Sequence, residues 1–115
     1  MKALVCGEFG PTKDLKIEQR AALEPGPGEV LIDVQAAGVN FPDILTVEGK
    51  YQFKPGLPFV PGTEVSGVVS KVGQGVTTRA VGDEVVGTVQ IGGFASQAVT
   101  SERTTFLKGR SMSFE

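Results

Sequence analysis

The stretch Glu29–Ala36, "EVLIDVQA", sets Val30, Ile32, Val34 and Ala36 against Glu29, Asp33 and Gln35. A period of two is the pattern of a strand with one buried face. Just before it, "LEPGPGE" (Leu23–Glu29) carries two X-Pro steps and two glycines, which disfavour helix and mark a turn. The same alternation of short apolar runs and turns extends in both directions. "KALVC" (Lys2–Cys6) predicts a first strand, and "LKIEQRAA" (Leu15–Ala22), with weak alternation of Leu15, Ile17 and Gln19, its antiparallel partner. Further strands are expected in "EVSGVVSKV" (Glu64–Val72), "DEVVGTVQ" (Asp83–Gln90), "FASQAVT" (Phe94–Thr100) and "TTFL" (Thr104–Leu107). Between them, "VGQGVTT" and "AVGDEVV" place glycine where a tight reversal needs φ > 0. The 16 glycines and 7 prolines thus serve as corners of a mainly β fold, an irregular β-barrel or sandwich with one or two short helices.

Composition narrows the chemistry. The 115 residues suit a single domain, and 40% hydrophobic with 21% charged residues fits a globular chain. A net charge of −2 with scattered Lys and Arg argues against nucleic-acid or polybasic membrane partners. No apolar run approaches the roughly 20 residues of a membrane span, and "MKALVCGEFG" lacks the features of a secretory signal. A cytoplasmic location is the expectation. With no His and one Cys, the chain has no His-containing catalytic triad, no internal disulfide and no Cys/His zinc site. Cys6, inside an apolar run, is expected to be a small buried hydrophobe.

One segment departs from the β pattern. "FPDILTVEG" (Phe41–Gly49) predicts a short helix with Asn40 as N-cap, Pro42 in the first turn, Asp43 as the acidic member of a capping box, and Gly49 as terminator. The chain's one tyrosine, Tyr51, follows directly. On local evidence Asn40 and Asp43 have a purely structural use, and Tyr51 that of an interior aromatic with its hydroxyl toward water. No phosphate-binding motif accompanies them. "GQGVTT" (Gly73–Thr78) lacks the third glycine of a dinucleotide fingerprint and runs into β pattern, so it is a turn.

The order of four segments is more specific than any one of them. "PGPGEVLIDVQAAGVNFPD", "LPFVPGTEVSGVVSKVGQGV", "VGDEVVG" and "GGFASQAV" together resemble the N-terminal domain of medium-chain dehydrogenase/reductases. More narrowly, the chain resembles the zinc-free NADPH:quinone oxidoreductases related to ζ-crystallin. The resemblance implies a GroES-like β-barrel over residues 1–115, with the Rossmann cofactor domain absent. Where the alcohol-dehydrogenase branch has a zinc-binding Cys after "GV" and a His after "PG", this chain has Asn40 and Thr63. Without a metal, carbonyl activation falls to hydrogen bonding and to an electrophilic quinone or enone.

The resemblance assigns Asn40, Phe41 and Tyr51 to the cleft beside nicotinamide and substrate. It makes Tyr51 the catalytic proton donor, as in related enoyl-thioester reductases. It implies NADPH as cofactor of the complete enzyme, with the main cofactor-binding residues outside this chain. Asp43 keeps its capping role, and Glu64 is either an internal acid paired with an Arg from elsewhere or a surface residue. "GRSMSFE" (Gly109–Glu115) looks like the lead into the cofactor domain. The chain alone is therefore expected to fold, to hold NADPH weakly, to be inactive, and to self-associate through the surface a cofactor domain would cover. The competing reading is a stand-alone, non-catalytic β-barrel serving binding or assembly.

Overall fold

The computed structural model describes residues 1–109 and 112–115. Arg110 and Ser111, within the segment expected to lead toward a cofactor domain, lie outside the described residues. Strands β1 (Lys2–Val5) and β2 (Lys16–Gln19) form an antiparallel pair. A second sheet contains β3 (Glu29–Gly38), β4 (Glu64–Val72), β5 (Glu84–Thr88), β6 (Gln97–Ser101) and β7 (Thr105–Leu107) in the order β6-β3-β4-β5-β7. All its pairings are antiparallel. Backbone bonds tie β1 and the residue after it to segments between the other strands: Leu4 N–H donates to Phe94 O (2.8 Å), and Cys6 and Phe59 exchange bonds at 2.8 and 3.0 Å. The fold is mainly β, as the spacing predicts.

The main core lies on one face of the large sheet. Val30 and Ile32 of β3, Val65 and Val69 of β4, Val85 of β5 and Ala98 of β6 are all at most 2% exposed. Register explains the set, because antiparallel partners share a face: Ile32 faces Val69 and Ala98. β-Branched residues fit this surface because they pack well on a pleat.

The alternation of "EVLIDVQA" does not survive to its end. The β3–β4 register shifts twice, with Ser70 and then Gln35 left unmatched. After the second bulge Ala36 pairs with Ser66 instead of continuing the Val34 row, so it moves to the opposite face. One extra residue reverses the facing of everything after it. Gly67 makes the tight approach near that point feasible: a Cβ there would collide with the Asp33 carbonyl oxygen. The β2 alternation is corrected too: all four residues are exposed, Ile17 at 75%, so it builds no core.

On the outer face, the Ser66 hydroxyl donates to the Phe114 carbonyl. The Lys108 ammonium sits 4.7 Å from the Phe114 ring centroid and 3.3 Å from Glu84. Residues 112–115 thus lie against the sheet.

Candidate functional site at the two ends of the helix

β3 runs out at Gly38, and the chain turns through Val39 and Asn40 into α1 (Phe41–Glu48). Asn40 is extended (φ −119°, ψ 156°), as an N-cap must be. The Asp43 carboxylate accepts from the Asn40 N–H at 2.8 Å, while the Asp43 N–H donates to the Asn40 main-chain carbonyl at 3.0 Å. Asp43 is 4% exposed, so its capping role holds. At the other end Gly49 takes φ +75°, its N–H donates to Thr46 O, and the Lys50 N–H reaches Leu45 O. That left-handed stop also clears space for the Phe9 ring, which a Cβ at Gly49 would meet at 3.0 Å.

A second, smaller core fixes the helix. Val47 packs with Cys6 and Phe59, ringed by Phe9, Leu15 and Ile91. Phe9 and Phe59 meet with centroids 6.1 Å apart and planes tilted by 46°. Cys6 is 1% exposed, as expected, and its thiol lies 3.2 Å from Glu8 O. Burial pushes the Cys6 thiol above its ordinary pKa, partly offset by that hydrogen bond, with the Glu8 charge adding to the rise. It is a packing residue, not a nucleophile.

Asn40, Phe41 and Tyr51, the residues that the resemblance assigns to a cleft, sit on or beside this anchored unit but not at one point. Asn40 precedes α1 and Tyr51 follows its cap. An eight-residue helix is about 12 Å long at 1.5 Å per residue, so they flank opposite ends. Phe41 is 70% exposed, Tyr51 38% and Asn40 half-buried. Pairing of Gly38 with Glu64 places Asn40 and Thr63 at the same end of the β3–β4 ladder. A Cβ at Gly38 would lie 3.0 Å from Glu64 Oε2 and 3.9 Å from Asn40 Nδ2, so those side chains converge over it. Glu64 itself is exposed. The link between Asn40 and Glu64 depends on strand register, which no local motif reports.

The cavities lie elsewhere. One of about 550 Å³ is lined by Val5, Leu15, Lys16 and Glu18 among others. Another of about 440 Å³ is lined by Leu23, Phe59, Val60 and Ile91 among others. Neither is lined by Asn40, Phe41 or Tyr51 among the described residues. Phe41 and Tyr51 are open to solvent and Asn40 partly so. Among the described residues no three His, Cys, Asp or Glu side chains group as metal ligands, and no helix is long and apolar enough to cross a membrane.

Comparison with known proteins adds independent findings. Residues 26–110 match the alcohol dehydrogenase GroES-like domain. A quinone oxidoreductase-like protein 2 homolog from Nematostella vectensis is 44% identical over 115 residues, covering 98% of this chain and 31% of that protein. The human synaptic vesicle membrane protein VAT-1 homolog-like structure superposes with a TM-score of 0.96 at 34% identity, over 99% of this chain and 37% of the other. The Escherichia coli quinone oxidoreductase complexed with NADPH gives 0.94 at 29% identity, over 99% and 35%. The chain therefore spans about a third of the length of such relatives.

Proposed function

We propose, from the premise that this chain belongs to the alcohol dehydrogenase GroES-like domain family and has quinone oxidoreductase-like relatives, that it is the substrate-side domain of an NADPH-dependent quinone or enone oxidoreductase. One observation carries the reading: a helix pinned by its own small core presents a large, exposed aromatic, Phe41, beside a half-buried amide, Asn40. Folding alone gains little from leaving Phe41 in water, whereas a flat conjugated ligand gains contact area from it.

Bound NADPH supplies the hydride that reduces the conjugated carbonyl. This chain fits only the nicotinamide end of that cofactor. α1 carries a buried carboxylate, Asp43, in its first turn and lacks an N–H at Pro42, so its N-terminus disfavours a pyrophosphate. Asn40 and Phe41 form a polar and an apolar contact for the ring pair. The Tyr51 phenol donates a hydrogen bond to the oxygen that gains charge as the carbonyl is reduced. The neutral side chains of Asn40 and Thr63 are not the N and S donors zinc takes, which supports zinc-independent chemistry. A cytoplasmic setting and a small-molecule substrate, with no nucleic acid or membrane as partner, belong to the same reading.

The test is a chain extended with the nucleotide-binding domain of a quinone oxidoreductase relative. It should oxidise NADPH when given benzoquinone. Tyr51→Phe should lower kcat on an enone roughly 10- to 100-fold, the worth of one hydrogen bond to a charged acceptor, with little change in NADPH affinity. The 115-residue chain titrated with NADPH should show neither micromolar binding nor turnover. Equal enone turnover by Tyr51→Phe and parent would reduce Tyr51 to a packing residue. No turnover by the extended chain on any quinone would favour the non-catalytic module.

A further inference from the structure

β2 is an edge strand whose every residue is exposed, and its one apolar side chain, Ile17, is 75% exposed. The backbone shows which groups are free. Met1 and Arg20 exchange both main-chain bonds, at 2.7 Å each, which makes 1↔20 a hydrogen-bonded pair. Pairs alternate along an antiparallel ladder, so Ala3↔Glu18 and Val5↔Lys16 are also bonded, while Leu4↔Ile17 and Lys2↔Gln19 are not. The Leu4 N–H accordingly points away from β2, to Phe94 O. Ile17 and Gln19 therefore aim their N–H and C=O groups outward from the β2 edge. Such an edge is a template for another strand unless it is covered or repelled.

We propose that β2 is a self-association edge, across which two copies of this chain pair antiparallel about a two-fold axis through Ile17. In that register Ile17 meets Ile17 of the second copy as a hydrogen-bonded pair, using the N–H and C=O that Ile17 points outward. Lys16 then faces Glu18 of the second copy, a contact that occurs twice. Charge selects this register over its neighbours. Sliding by two residues one way sets Glu18 opposite Glu18, and the other way sets Lys16 opposite Lys16, both unfavourable. Neither Lys16 nor Glu18 takes part in an ion pair among the described residues, so both remain free for the partner. The interface is isologous, as a two-fold contact requires. It is also small, well short of the roughly 1,200 Å² of a stable complex, so the dimer is weak and dissociates on dilution.

Edge pairing is distinct from association through the Asn40 side, because β2 belongs to the small sheet and Asn40 follows β3 of the large one. The measurement is sedimentation equilibrium of the 115-residue chain up to about 1 mM, at low salt. The parent should be a monomer–dimer mixture that shifts to monomer as salt rises. Lys16→Glu and Glu18→Lys should each weaken dimerisation about tenfold or more, since each turns two attractions into repulsions. An equimolar mixture of the two variants should recover dimer at parental strength or better, because every facing pair is again opposite in sign. Both positions are exposed, so the core is untouched in either variant. A parent that stays monomeric at the highest concentration overturns the proposal. So does equal dimerisation by parent and single variants, or a mixture no stronger than its components.

Discussion

The two cores of this protein are built differently. The large-sheet core takes Val30, Ile32, Val65, Val69, Val85 and Ala98 from four strands in register, each at most 2% exposed. The helix core joins Cys6, Val47 and Phe59, with Phe9, Leu15 and Ile91, from α1 and the segments between elements. In the first, hydrogen-bonded ladders hold the backbone under every side chain, so a lost group leaves a void. In the second, loop segments can close over a lost group. The rigid core gives the scaffold, and the adaptable one carries α1 with Asn40, Phe41 and Tyr51.

The sharpest challenge to the scaffold is Gly67→Ala. The new Cβ would collide with Asp33 O across the β3–β4 ladder, where backbone, not a flexible side chain, would have to move. We expect a loss of about 4 kcal/mol or more, read by urea denaturation. A loss under about 1 kcal/mol would mean the ladder yields more readily than its register implies.

The contrast between cores is tested by one deletion made in each. Val69→Ala, at a site 0% exposed in the ladder, should cost roughly 2–3 kcal/mol once the cavity is included. Val47→Ala, in the helix core, should cost roughly 1.5 kcal/mol, near the transfer value of the lost methyl groups alone. Equal costs would erase the distinction. Hydrogen exchange on α1 should rise in the Val47 variant and stay unchanged in the Val69 variant.

The smallest effect concerns Cys6. Its thiol is raised above the ordinary value of 9.0 by burial, so the folded state holds that proton more tightly than the unfolded chain. That stabilisation is fully present below the unfolded pKa and is lost as pH rises through the folded one. Stability of the parent should therefore fall more steeply above pH 9 than that of Cys6→Ala. Identical pH profiles would show that the thiol titrates alike in both states.

Much of this was legible in residue order. Alternation located the strands, and turn glycines such as Gly75 and Gly82 take the positive φ their positions called for. Asn40, Asp43 and Gly49 marked both ends of α1, because capping uses groups three or four residues apart. The candidate site was less legible. The resemblance named Asn40, Phe41 and Tyr51, and the capped helix set Tyr51 a helix length from Asn40, yet nothing local says that Glu64 converges with Asn40 over Gly38.

Sequence by itself determined what is settled within a few residues: where strands begin and where the helix is capped. Tertiary structure decided what depends on partners far along the chain. Ala36 turned outward because a bulge against β4 shifted the register, which no pattern within β3 records. Cys6 and Val47 became neighbours because the helix and segments far apart in the chain, around Phe9, Phe59 and Ile91, closed on them. The physical reason is the range of the forces: backbone torsions and caps act locally, whereas register and burial are set by which distant strand supplies the hydrogen bonds.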